Sequence, residues 1–311
     1  MNSIITRTLT ICIFLSLIFI LYSCNKKNTS FDYNQAVETV SDYVESQQMT
    51  DLILNTYFKA ITDSILLSDG VAEIDGAEVS YSSEPAKIII DYPGWGKDDG
   101  YGHIRKGKYE ATTETSFFDS LAVVNITFNN FSYDFDTVSA GNLSIINQGT
   151  TNNGSYIFNL DGDNITRKLH DTTSYITYQL QQTFERFTYT SSPYYSENDY
   201  FEISGSLSGT ARNGKTFNSV VQDTSSLRNS FSCRWLDGGV VEIELIDFNN
   251  NSKVNFSNDG KCLNQYSIII NGTLLIKAFD SEQVLLSYLS LHQTLPYRKA
   301  SSDMLFSLLY Q

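Results

Sequence analysis

The sequence predicts a mainly β fold: an antiparallel meander, barrel-like or sandwich-like, preceded by one amphipathic helix. Three observations carry this. From Val71 onward apolar and polar residues alternate, as in Val124-Asn125-Ile126-Thr127-Phe128 and Val241-Glu242-Ile243-Glu244-Leu245, the period of half-buried strands. Turn formers fall between these runs at Gly141, Asn152-Asn153-Gly154, Asp161-Gly162-Asp163-Asn164, Asn213-Gly214 and Asp259-Gly260. Three- and four-residue spacing is confined to one segment before Val71, and no helical pattern separates the strands.

Taken in order, residues 1–23 read as an export signal. Arg7 precedes the apolar run Ile11 to Leu21, which ends in Leu21-Tyr22-Ser23-Cys24. The segment resembles a bacterial lipoprotein signal, and that resemblance implies lipid on the thiol of Cys24, which becomes the mature N-terminus. An uncleaved anchor over Ile4 to Tyr22 is the competing reading, interrupted by Arg7. Residues 24–33 form a polar tether. In the helical segment 34–69, Val37, Val40, Val44, Leu52, Ile53, Thr56, Tyr57, Ala60, Ile61 and Ile65 share a face, and Asp69-Gly70 ends the pattern.

Residues 70–279 form the β region. A faint echo between Ile90–Lys97 and Val254–Lys261 offers two related units, 70–190 and 199–279, although convergent turn chemistry explains it as well. The tail, 280–311, reads as short helices or as disorder.

Composition excludes some functions. The chain holds 35 acidic and 21 basic residues, a net charge of -14. Removing residues 1–23 discards Arg7 and no acid, so -14 becomes -15. Such a surface repels phosphate backbones, so nucleic acid is excluded as a partner. Gly102-His103-Ile104-Arg105-Lys106-Gly107-Lys108-Tyr109 has the spacing of a phosphate-binding loop. Tyr109 stands where Ser or Thr would hold magnesium, though, and the run continues as a strand, so no nucleotide is expected. Gly107 reads as a bulge, with Arg105, Lys106 and Lys108 pairing with Asp98, Asp99 and Glu110.

With Cys12 in the signal and Cys24 lipidated, Cys233 and Cys262 remain. In an oxidising compartment the pair is most simply a disulfide; two free thiols or half a metal site are the alternatives, and neither residue has a further ligand at metal spacing. The oxygens of Asp161-Gly162-Asp163-Asn164 and of Lys97-Asp98-Asp99-Gly100 read as turn chemistry before calcium ligands. His103, His170 and His292 accompany no nucleophile or metal motif, and no cofactor is implied. Trp95 and Tyr101, with Asp98 and Asp99 beside them, are the candidate ligand site, since a flat aromatic face stacks on sugar rings and carboxylates bind their hydroxyls. Tyr194, Tyr195 and Tyr200 are further loop aromatics of this kind.

Ser232-Cys233-Arg234-Trp235, Gly238-Gly239-Val240-Val241-Glu242-Ile243, Asp259-Gly260-Lys261-Cys262 and Ile268-Ile269-Ile270-Asn271-Gly272 together resemble the closing segment of a group of uncharacterised Bacteroidetes lipoproteins. The resemblance covers most of residues 70–278 and brings no activity with it. An outer-membrane location, periplasmic or surface-facing, is expected because no inner-membrane retention logic is evident. The resemblance implies O-glycosylation at the Asp-Ser/Thr patterns around Ser64, Ser120, Thr137 and Thr172, whereas Asn125-Ile126-Thr127 and Asn271-Gly272-Thr273 read as strand composition. The expected role is a lipid-anchored envelope protein without a catalytic centre, structural or binding an envelope protein or other ligand. The alternative is a glycan-binding or glycan-processing surface lipoprotein.

Overall fold

The structure, a computed structural model, describes residues 31–100, 103–151, 155–170, 173–188, 195–233, 235–257, 261–279 and 289–290. By its contacts the chain divides into Met1–Asn34, of which residues 31–34 are described, and Gln35–Gln311. The sheet and its core belong wholly to the second unit.

Two helices come first, α1 (Tyr33–Thr62) and α2 (Ser64–Asp69). The expected single segment breaks at Asp63, whose carboxylate accepts the Leu66 amide at 2.7 Å and so caps α2. Gly70, at φ 81°, ends α2 with its N–H on the Leu66 carbonyl.

The strands are β1 (Val71–Ile74), β2 (Ala77–Ser83), β3 (Ala86–Asp98), β4 (Ile104–Thr113), β5 (Val123–Tyr133), β6 (Asp136–Ser139), β7 (Asn142–Thr150), β8 (Tyr156–Lys168), β9 (Tyr175–Phe187), β10 (Tyr200–Thr210), β11 (Thr216–Val221), β12 (Leu227–Ser230), β13 (Val240–Leu245), β14 (Asn250–Asn255), β15 (Tyr266–Ile270), β16 (Thr273–Lys277) and β17 (Leu289–Ser290). They form one 17-stranded sheet in which each pairing is antiparallel. The mainly β meander expected from the alternation is therefore the fold. It departs from simple order twice: β6 and β7 both lie between β5 and β8, and β11 and β12 both pair with β10.

The two halves offered by the sequence echo are not separate. Across the link, β9 and β10 pair continuously from Phe187↔Tyr200 to Thr177↔Thr210, so one sheet and one core run through both. Leu289 and Ser290, in the tail expected to be helical or disordered, instead pair with Leu274 and Thr273 of β16. Asp161–Asn164 is not a turn either. It lies inside β8, where the register with β9 shifts between Gly162 and Ile165. Asn271-Gly272, taken for strand, is the tight turn between β15 and β16, both residues at positive φ.

The helix is the largest departure from expectation. A surface helix keeps a polar face to water, yet from Thr39 to Thr62 only Glu45 and Lys59 escape full burial. The sheet curls around it. Partners along α1 come from β4 (Tyr109 to the Ile53 carbonyl, 3.5 Å), β9 (Tyr178 to Thr50, 3.2 Å), β12 (Asn229 to Asn55, 3.2 Å), the β10–β11 turn (Arg212 to Asp42) and β16 (Lys277 to Ser41, 2.6 Å). Apolar packing fills the remaining space around Phe58, whose ring meets Phe158, Phe201 and Phe231 at 5.6–5.9 Å. The void between α1 and β5, β7, β8 and β9 measures about 10 Å³.

Candidate functional site

Charged groups inside the molecule are matched one to another. Arg105 is fully buried and donates from Nε to Asp99 at 2.6 Å, and from Nη1 to Thr56 at 3.0 Å and Tyr92 at 2.9 Å. Arg167 bridges Asp136 (2.6 Å) and Glu45 (2.9 Å). Arg212 donates to Asp42 and Glu45, and Arg186 to Asp199. Buried charges need such partners, so these side chains hold the sheet to the helix.

Asp51 differs. It is fully buried, and Gln47 donates to one of its oxygens at 2.8 Å while the other has no hydrogen-bond partner among the described residues. Burial pushes its carboxyl well above the usual range. Burial also pushes Asp42 up to about 6, against the pull of Arg212. A carboxyl raised in the folded state stabilises fully below its unfolded pKa, and that contribution is lost as pH rises through the folded value. Glu110, held low by Lys87, has the opposite sign and acts only at more acidic pH. The unfolding free energy is therefore expected to be higher at pH 5 than at pH 8, by about 1–3 kcal/mol. Asp51→Asn keeps the Gln47 contact without a charge and should raise stability at pH 8 by about 1–2 kcal/mol. Urea titrations at both pH values check this, and greater stability at pH 8 in the wild type would contradict it.

The outer face carries the most distinctive irregularity. Between Tyr92 and Lys97 the register of β3 against β4 shifts, and Pro93-Gly94-Trp95-Gly96 is left as a bulge. Gly96 sits at φ 88°, and a Cβ there would stand 2.8 Å from the Ile104 methyl, so only glycine fits. The bulge presents Trp95 at 85% exposure, the most exposed large apolar side chain among the described residues. Pro93 and Lys97, on either side of it, line an open groove of about 550 Å³ with Val71, Glu73, Glu78 and Asp91. Register sets Glu73 beside Glu78 and Glu78 beside Asp91 on adjacent strands. Like charges directly opposite one another are unfavourable. Lys97 offsets one of them by pairing with Glu73, which it holds below the usual carboxylate range. Chemically the groove is a row of carboxylates with one ammonium, Lys97, and the bulge that carries the indole borders it. Its strand-borne acids were missed in the sequence because they look like ordinary solvent-facing positions; only Asp91 stood in a marked motif.

The remaining expected residues divide. Asp98 stays at the surface and accepts the Gly100 amide at 2.7 Å. Asp99 does not belong to the ligand site: it is 2% exposed and turned inward to Arg105. Tyr101, Tyr194, Cys24 and Thr172 lie outside the described residues. Tyr195 and Tyr200 offer no open face of the expected kind, because Tyr195 stacks on Phe231 and Tyr200 lies between Phe187 and the Arg228 guanidinium. Cys233 and Cys262 are bonded, with Cα atoms 5.4 Å apart. Ser64 and Ser120 are exposed. Thr137 is exposed too, but Asp136 before it is buried against Arg167, so the folded chain does not present that pattern. Around the former loop candidate, Gly107 sits at φ 74° where a Cβ would meet the Asn130 carbonyl oxygen at 2.1 Å, and the β4–β5 register shifts there. Arg105 pairs with Asp99 and Lys108 with Glu110.

Among the described residues no group of three or more His, Cys, Asp or Glu is placed to hold a metal ion, and no helix is long and apolar enough to cross a membrane. Compared with protein-family models, curated proteins and solved structures, the chain matches none.

Proposed function

We propose that this chain is a lipid-anchored protein of the cell envelope, held on the outer membrane through Cys24, that binds a ligand or partner on the outside of its sheet and has no catalytic centre. The observation that carries the reading is the β3 bulge, which holds Trp95 out in solvent beside an open groove while Arg105, Arg167 and Arg186 of the interior are each paired with a buried acid. Aromatic anchors at a rigid, irregular position are the usual centres of recognition. The reading includes no nucleic acid or nucleotide, since a net charge of -14 repels phosphate and Tyr109 continues a strand where a phosphate loop would open a helix.

A photo-crosslinking residue in place of Trp95, in cells, should give discrete heavier adducts that the same residue in place of Glu114, exposed in the loop after β4, does not. Identical adducts at both positions, or none at either, would contradict the reading. Intact mass reads the modifications: a lipid increment that Cys24→Ser removes, and hexose-sized increments if Ser64 or Ser120 carries O-glycans. A protein mass equal to polypeptide alone sinks both.

Glycan recognition or processing is the second reading, favoured by the exposed indole on a bulge that borders carboxylates, which suits sugar rings and their hydroxyls. Release of reducing ends from a bound glycan would mark processing; retention without release would mark binding.

A further inference from the structure

On the outer face of β9, β10 and β11, register aligns two lateral rows of neutral polar side chains: Gln179, Ser208 and Asn218 in one, Thr177, Thr210 and Thr216 in the other. Neighbouring strands lie about 4.8 Å apart, so the six make a regular grid. Gln179 reaches Ser208 at 3.3 Å and Thr216 donates to Asp247 at 2.9 Å. Thr177, Thr210 and Asn218 make no side-chain hydrogen bond among the described residues. The grid is the floor of an open groove of about 430 Å³. One wall is the β8 bulge, where Asp163 and Asn164 stand out of register, with Asn164 at φ 50°. The other is Ile246, half exposed, in the turn after β13.

This chemistry is selective. Among the described residues no Lys, Arg or His lines the groove, and Asp163 adds negative charge, so an anion meets no counter-ion from them. Hydroxyls and amides facing solvent give an apolar chain nothing to displace water for. What suits the site is a neutral ligand that both donates and accepts hydrogen bonds at repeated intervals, and whose C–H faces can rest on an aliphatic edge. We infer that the groove binds a neutral polysaccharide, its chain lying across β9, β10 and β11. The inference rests on the binding reading above but not on Trp95, which belongs to β3.

Affinity electrophoresis in native gels tests it, with mannan, dextran or arabinoxylan as neutral probes and dextran sulfate as the anionic control. At least one neutral polymer should retard the wild type while dextran sulfate does not. Thr177→Val with Thr210→Val keeps side-chain shape and removes two hydroxyls, and should weaken retardation about tenfold; Trp95→Ala should leave it unchanged. Circular dichroism and the urea midpoint establish that each variant is folded. Full retardation of the folded double variant overturns the inference, as does a wild type that none of the three neutral polymers slows. If Trp95→Ala alone abolishes retardation, the groove inference falls and the reading centred on Trp95 stands.

Discussion

Asp99→Ala is expected to lose about 3–5 kcal/mol of stability, because a buried ion pair broken from one side leaves the other charge inside without its counter-ion. Arg105 is fully buried, and beyond Asp99 it donates to the Thr56 and Tyr92 hydroxyls, neither of which carries a charge; the more distant Asp75 is engaged by Lys59. Urea unfolding reads the loss. Replacing both partners, Arg105→Met with Asp99→Leu, should recover most of it, since apolar side chains of similar volume often match a buried pair. A folded Asp99→Ala variant with unchanged stability would return Asp99 to the surface and to the ligand site.

Phe58→Ala should cost a similar amount, about 3–5 kcal/mol. Its ring is 2% exposed and is the hub at which α1 meets Phe158 of β8, Phe201 of β10 and Phe231, and Arg186 stands 4.8 Å above it. Truncation removes the ring contacts and the cation–π contact together. The same substitution at Phe118, partly exposed in the loop after β4, should change stability by about 0.5 kcal/mol or less. Thermal or urea melts of the two variants separate the hub from the rim; equal losses would mean that α1 is not seated as described.

How much of this was legible in the sequence follows from where the information lies. Strand alternation is local, so Val241-Glu242-Ile243-Glu244-Leu245 announced its own face, and β13 buries the three residues expected. The helix could not be read to the same depth. Asp42, Gln47, Asp51 and Asn55 carry the polarity of a solvated face, and what makes them interior is complementary chemistry far along the chain, at Arg212, Gln182 and Asn229. Periodicity records that a residue is polar, not that a partner waits for it. Asp161-Gly162-Asp163-Asn164 was misread as a turn for a related reason. Pro93-Gly94-Trp95-Gly96 and Asp161-Gly162-Asp163-Asn164 have the letters of turns, and whether such letters reverse a strand or swell it depends on the neighbour it pairs with. Trp95 was found because a lone exposed tryptophan needs no pairing information. The β9–β11 grid was not, because its regularity exists only across strands.

The account stands on α1 as the permanent filling of the sheet, which leaves recognition to the outer surface. Native-state hydrogen exchange along α1 tests this most directly. Amides from Val40 to Ile61 should exchange only through global unfolding, with protection falling in step with stability as urea is added. A block of α1 amides exchanging by local opening, well below the global free energy, would mean that the helix can leave and the interior can open, and would contradict the account.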